Sequence, residues 1–554
     1  MKIKRILKKG KKKTESKRDL ITQEDYYEEG TFAEEQAERW LLSDIRKTLR
    51  FYLEAYEYYQ IGLNTAIEQT EKGSYDISYN ETRLMLQIYN DYLFNSGYIN
   101  ILQYVKLNDI SNLNQILKTL PEIVQSLETV YNHYSNNSQI DQWDLQYNLL
   151  TSYMSLLESN EYYNIKSAEV IEISNKFVQL SQVLIKRQIE ELENFEQFIT
   201  DINDQNNNDE ENLIRDTLDE STVNKNDGSG IITNPENSKN KEEKMEVSDQ
   251  ITKETLSEVF LNCYKFIETI LEIIIQSKMV SESETNIDRL NEVQINYLVE
   301  LVGKLYAQLN DIEMTELSGF TLDMKDINVA KFSIDGDKKI LQGDLDEFLK
   351  YENLEVGDSD YEMDVAFDMV KIDALELSIE CFTNQDSMME WELSSLLSKK
   401  INALIKKIST ERNNILTISK FNQEKMEKLS SVVFTLCNIY VTSSDNELRR
   451  YAIKISNQGD ENATKTANIL LKNSKVLLTN AQKISQQACG MQETIVDKLK
   501  RNYIYNQATT RLQLLEAYEN QMLNSISTSQ IDPNSLDTAI QDLLKDHPFY
   551  SKLS

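Results

Sequence analysis

The chain of 554 residues carries 59 Lys and Arg against 91 Asp and Glu, a formal charge of −32 with a pI near 4.6. That sign excludes a body that wraps nucleic acid or rests on an anionic membrane, and it points to basic or apolar partners. The length suffices for two or more packed units. With 4 Pro and 14 Gly, and no Pro between Ile251 and Gln530, a chain this rich in Leu, Ile, Glu, Lys, Asn and Gln predicts an all-α fold.

Residues 1–28 read as a basic tail. Ten of the first 18 residues are Lys or Arg against the single acid Glu15, so the rest of the chain holds a balance of −41. Lys8, Lys9, Lys11, Lys12 and Lys13 are the nuclear-targeting candidates, since dense cations on a flexible arm are what import receptors read. The same arm suits contact with RNA or a ribosome, and a solvated tail without either role is the plainer reading.

The next region, 29–199, opens with an architectural pattern. Ser43-Asp44 precedes Thr48-x3-Tyr52-x2-Ala55, and a second register, Ala55-x3-Tyr59-x2-Gly62, overlaps it. Small residues at Thr48 and Ala55 let a neighbouring helix approach while Tyr52 fills the groove between them. The stretch resembles the second half of a tetratricopeptide repeat, a resemblance that covers 31–158 and returns more weakly from Tyr361 onward. It implies a helical-hairpin solenoid in two regions, whose relatives act as adaptors and chaperone co-factors holding an extended peptide or helix in a concave groove. One subset grips chaperone tails with Lys, Asn and Arg; Asn80 and Arg83 match part of that clamp, but the preceding Lys-x3-Asn is missing.

A related element recurs as Asp76-Ile77-Ser78-Tyr79-Asn80, Asp144-Leu145-Gln146-Tyr147-Asn148 and Asp364-Val365-Ala366-Phe367-Asp368, each expected to open a helix with Asp as its cap. The first two are 68 residues apart, twice the 34-residue period of tetratricopeptide repeats, and the third falls at no multiple. Further on, 113–134 has the apolar spacing of a buried helix that Pro121 should bend or restart. Trp143 to Glu158 and Ile165 to Phe198 supply two more helices.

Residues 200–250 change character, with no aromatic and runs of Asn, Asp, Glu and Lys; they predict a disordered linker. A second helical region, 251–530, begins with an amphipathic stretch whose most apolar part, Phe266 to Ile275, is interrupted by Glu268 and Glu272. Its pattern weakens over 314–360, read as a loop or insertion. Residues 531–554 then give a short helix and an exposed His547-Pro548-Phe549-Tyr550 tail.

Chemistry is scarce. Cys263, Cys381, Cys437 and Cys489 form no Cys-x-x-Cys pair, the usage of a reducing compartment. Two histidines, His133 and His547, exclude a His-rich metal site. Asp335-Gly336-Asp337 begins like a calcium loop, but Lys339 holds a ligand position and Ile340 stands where the loop needs Gly. No cofactor, metal or catalytic residue is expected. No apolar window reaches membrane-spanning length and no signal-peptide core is present, so the expected location is the cytoplasm and nucleus.

Two features suggest binding. Tyrosines gather on the first hairpins, where an amphipathic ring suits an inner groove, and Tyr52, Tyr59, Tyr79 and Asn80 are the partner-binding candidates. Lys498, Lys500 and Arg501 with Tyr503 and Tyr505 form a basic-aromatic patch that reads as a surface charge cluster. The function expected is a non-enzymatic adaptor or dedicated escort for a Lys/Arg-rich protein partner. The alternative is a structural subunit of an RNA- or ribosome-associated assembly, touching nucleic acid through its N-terminal tail. Residues 1–19 fused to a fluorescent reporter should concentrate it in the nucleus by microscopy; an even distribution would remove the targeting role.

Overall fold

The computed structural model describes residues 20–94, 99–135, 137, 140, 142–206, 251–279, 289–315, 324–354, 360–382, 386–418, 423–456, 461–487, 489, 493–524 and 538–552. Among them the chain is all-α, with no β-strand, and no helix is long and apolar enough to cross a membrane. It divides into two units, residues 1–141 with 490–503 and residues 142–489 with 504–554. The boundary thus falls ahead of Trp143 rather than near residue 199, because the helices after Trp143 pack within the second unit. The expected targeting lysines, and the expected linker from residue 207 to residue 250, lie outside the described residues.

The first unit is built on α1 (Gln23–Glu38), α2 (Ile45–Asn64), α3 (Glu71–Ile88) and α4 (Leu120–Tyr134). Each start has a side-chain cap. Thr22 forms a capping box with Asp25, Asp44 accepts from the Lys47 amide, Thr70 accepts from the Gly73 amide, and Thr119 forms a box with Glu122. The capping box at Thr22 ends the basic tail there, not at residue 28. Pro121 lies in the first turn of α4, where a missing amide hydrogen costs nothing, so 113–134 is a 3-10 turn, Leu113–Gln115, and a helix restarted at Pro121, one of the two outcomes expected of it. Asp76 lies inside α3 and caps nothing, whereas Asp144 and Asp364 do fall in first turns.

Helices α1, α2 and α3 share one core. Thr48, Tyr52, Ala55 and Tyr59 are fully buried along α2. Gly30 of α1 makes this fit possible, since a Cβ there would stand 2.3 Å from the Tyr59 ring. The Tyr59 hydroxyl donates to Glu34 Oε1 at 2.6 Å, and Arg83 of α3 pairs with the other oxygen of the same buried carboxylate. The segment 490–503 belongs here too, with the Ile495 amide donating to Leu42 O at 3.2 Å. Arg501, expected on a surface patch, is buried in an ion pair with Glu493.

The second unit runs through α5 (Trp143–Glu158), the single turn α6 (Asn160–Tyr163), α7 (Ser167–Asn206), α8 (Lys253–Met279), α9 (Glu292–Thr315), α10 (Lys325–Gln342), α11 (Leu345–Glu352) and α12 (Tyr361–Phe382). It continues as α13 (Ser387–Ile418), α14 (Gln423–Ser456), α15 (Glu461–Ser485), α16 (Ile495–Asn524, of which Ile504 onward belongs here) and α17 (Thr538–Asp546). The expected insertion over 314–360 therefore holds two helices, α10 and α11. Their polar sequence hid a packed face: Ile340, Phe348 and Tyr351 join Ile372, Leu375, Leu397, Ile401 and Leu404 in one core.

Helix α8 touches α5, α7, α9, α10 and α12. Its Phe266 ring stacks on Phe177 of α7 with centroids 4.1 Å apart. From α12 to α15 each helix packs on the next in chain order.

The C-terminal segment is not an exposed tail. Phe549 sits edge-on to Tyr518 and Tyr451, centroids 5.0 and 5.6 Å away, and the hydroxyls of those two tyrosines are 2.9 Å apart. The Tyr550 hydroxyl donates to Asp445 Oδ1 at 3.2 Å, and His547 Nε2 lies 3.0 Å from the Asp445 carbonyl. Arg511 holds the same carboxylate at 3.0 Å. Burial of Phe549 and Tyr550 anchors this segment.

Arg83→Ala should unfold the first unit at a lower temperature, because it leaves Glu34 buried with only the Tyr59 hydroxyl. The expected loss is about 2–3 kcal/mol in a denaturant titration. A change within experimental error would show that water reaches Glu34.

Candidate binding groove

Charged groups inside the second unit include pairs such as Asp445 with Arg511 and Glu447 with Arg450, and one seam collects carboxyls. Glu268 and Glu272 stand one turn apart on α8, in a stretch whose neighbours Phe266, Ile267, Ile270, Leu271 and Ile274 are buried. Asp373, Glu376 and Glu380 share one face of α12, spaced by three and four residues. Asp337 projects from α10, and Glu158 ends α5. Because α8 packs on α5, α10 and α12, and α10 packs on α12, the four helices bring these seven carboxyls within one another's electrostatic reach.

The electrostatics are those of crowded like charges. Burial first, and then Glu268, Asp373 and Glu158, push the Glu272 carboxyl up to about 8. Glu376 is likewise raised to about 8, by burial and by Asp373, against the pull of Arg449. Asp373 rises to about 7 through burial and Glu268. Asp337 is held well above the usual range by burial and by Glu272, Glu268 and Asp373. Glu158 and Asp373 are nonetheless exposed, and Glu268, Glu272 and Glu376 half-buried. These carboxyls are thus open to water in part while lying against dense protein, which raises them.

Compensation within the seam is small. Lys265 lies near Glu158 and Glu268, Arg449 Nη2 is 3.9 Å from Glu380, and Ser333 donates to Glu268 at 2.5 Å. Asp337 is 3% exposed, and its Oδ2 has no hydrogen-bond partner. A buried carboxyl oxygen left without a donor is costly, by about 1–3 kcal/mol or more. Its presence at the base of the acidic row marks a site that is electrostatically incomplete.

The row does not wrap around a point. Among the described residues no group of three or more His, Cys, Asp or Glu could hold a metal ion. The nearby Cys381 thiol is pushed up to about 12, mainly by burial. A separate cavity of about 450 Å³, lined by Tyr361, Val365, Ile408, Ile415 and Val432, lies between α12, α13 and α14; its charged rim is paired, Lys428 with Glu362 at 2.6 Å and Asp360 with Lys325 at 3.1 Å.

The sequence-derived binding residues lie in the first unit. Tyr52 and Tyr59 are fully buried core, so neither ring can meet a partner, because close packing of α1 on α2 needs them as fillers. Tyr79 is half-buried and stacks on Tyr75, centroids 6.1 Å apart. Asn80 donates to the Asp76 carbonyl at 2.9 Å and accepts from Arg83 Nε at 3.1 Å, so these groups are engaged within the unit. The structure does not gather the four into one groove. The acidic seam was missed, although its signal was present: two glutamates four residues apart inside the most apolar stretch of the chain.

Two family models match this chain. The YNL193W-like protein middle domain covers residues 162–342, and the YNL193W C-terminal domain covers residues 359–554. A Saccharomyces cerevisiae protein described as uncharacterized protein YNL193W is 41% identical over 564 residues, spanning 99% of this chain and 98% of its own. No solved structure matches. Glu268, Glu272 and Asp337 fall within the middle-domain match, and Asp373, Glu376 and Glu380 within the C-terminal one.

The seam sets a pH dependence. A carboxyl whose folded value exceeds its unfolded one contributes full stability below the unfolded value and loses it as pH rises through the folded one. For Glu272 and Glu376 that window runs from 4.5 to about 8. His547 acts in the opposite sense: burial lowers it from 6.5 to about 4, so its contribution is present above 6.5 and lost as pH falls toward 4. Thermal melts should therefore show the second unit losing stability on both sides of mildly acidic pH. Asp337→Asn should raise the melting temperature at alkaline pH by several degrees, about 1–2 kcal/mol. An equal or lower melting temperature for that variant would show that Asp337 has a partner in solution.

Proposed function

The chain belongs to the YNL193W family, and we propose that it is a non-enzymatic adaptor or escort that holds a Lys/Arg-rich protein segment in the acidic groove of its second unit. The observation that carries this reading is the row from Glu158 to Glu380 with Asp337 Oδ2 unpaired at its base. A row of carboxyls suits a linear ligand with repeated cations rather than a single ion. Cationic side chains also have apolar stems that can lie along the groove wall while their heads reach the carboxyls.

The tetratricopeptide-like part of the proposal concerns α1, α2 and α3, where Asp44 caps α2 and Thr48, Tyr52 and Ala55 form its inner stripe. From α12 to α15 the stacking order is that of a helical array, but with longer units: α14 alone takes 34 residues, the length of a whole tetratricopeptide repeat. In the first unit, Arg83 is committed to Glu34 and Asn80, which supports leaving chaperone-tail recognition out of the proposal.

A cation bound in the groove favours the ionised carboxyls, so binding should release protons and tighten as pH rises from about 6 to about 8. Calorimetry of the full chain with an oligolysine peptide of about ten residues measures both effects, with proton release read from buffers of different ionisation enthalpy. Glu272→Lys with Asp373→Lys should weaken binding at least about tenfold, roughly 1.4 kcal/mol, and Tyr79→Ala with Asn80→Ala should leave it unchanged. Affinity should also fall steeply with salt. Unaltered binding by the charge-reversed groove, with its helical content intact, would refute this site.

A further inference from the structure

Helix α15 reverses the charge of the rest of the chain. In a protein of net charge −32, it carries Lys465, Lys472, Lys475 and Lys483 with Glu461 as its sole acid. Its buried side is made of small and aliphatic residues, Ala463, Ala467, Leu470, Ser474, Leu478, Ala481 and Ser485, and Ser474 meets Ser444 of α14 at 2.7 Å. On the opposite side, Lys465, Ile469, Lys472, Val476 and Lys483 project within a sector about 60° wide at 3.6 residues per turn. The three lysines are exposed, Ile469 is 59% exposed and Val476 is 51% exposed.

We infer that this outward face of α15 is a docking surface for an acidic amphipathic helix of a partner protein. Ile469 and Val476 are seven residues apart, two turns on one side, which is the spacing by which helices anchor on one another. The lysines flank them over about 27 Å, the length of a partner helix of five turns. Charge complementarity fixes the partner's sign. The chemistry also disfavours a bilayer: two β-branched side chains without an aromatic offer too little apolar area to hold a helix in a lipid interface. Phosphate backbones would leave both aliphatics unused. The inference is independent of the acidic groove, which takes a ligand of opposite charge.

The test uses the full chain, a synthetic helix of about 21 residues with leucines at seven-residue spacing flanked by glutamates, and its scrambled isomer. Vesicles of phosphatidylcholine with phosphatidylserine form a third arm. Anisotropy should show the patterned peptide binding at least about tenfold tighter than the scrambled one, with Val476→Asp removing that preference. Lys472→Glu with Lys483→Glu should abolish binding, and a peptide carrying lysines in place of the glutamates should restore it. Equal affinity for both isomers, binding that survives the substitutions, binding to vesicles alone, or no binding to any probe would each overturn the assignment. The charge-swap rescue separates a lost surface from a misfolded variant.

Discussion

The packing of α8 is the constraint on which the second unit depends. With α5, α7, α9, α10 and α12 all against it, most of its circumference is committed to apolar contact, and Cys263, Phe266, Ile267, Ile270 and Ile274 fill those interfaces. Glu268 and Glu272 then have one direction left, the gap toward α10 and α12, where Asp337 and Asp373 already stand. Hydrophobic burial sets the position of the helix, and the helix sets the position of the charges. The carboxyls respond in the cheapest available way, by holding protons at pH values where isolated ones would be ionised.

The first unit shows the alternative outcome for the same residue types. Glu34 is buried, as Asp337 is, but Arg83 and the Tyr59 hydroxyl satisfy it from within. Both units bury acids. Among the described residues the first leaves no buried carboxyl oxygen without a donor, whereas the second leaves those of Asp337 and Glu352. In the seam the supply of internal cations is limited to Lys265 and Arg449.

Much of the helical architecture was legible in the chain because periodicity reports burial directly: α8, α13 and the Thr48-Tyr52-Ala55 stripe follow from spacing alone. Three kinds of information were not. Helices α10 and α11 bury Gly336 and Asp337 beside their apolar residues, so a window average sees a loop where Ile340, Phe348 and Tyr351 make a core. The C-terminal aromatics look exposed until α14 and α16 supply Tyr451, Tyr518 and Asp445. The groove itself joins residues from Glu158 to Glu380, a separation over which no local pattern operates. Tyrosine abundance misled the search for a site, because a ring that suits a ligand also suits a helix interface, and Gly30 shows which use prevailed for Tyr59.

Charge segregation within one unit gives the remaining step. A site that concentrates carboxyls and a helix face that concentrates lysines would neutralise each other if their side chains met, and α15 buries its Ala- and Ser-rich side against α14 while exposing Lys465, Lys472 and Lys483. With a screening length of about 8 Å at physiological ionic strength, surfaces separated by a helix layer act on their ligands almost independently. Each then selects by local pattern, the groove by a row of carboxyls and α15 by Lys, Ile, Lys, Val and Lys along one line. Net charge alone would attract any cation and repel any acidic partner. The arrangement of that charge on packed helices is what would let one unit hold the two proposed partners of opposite sign.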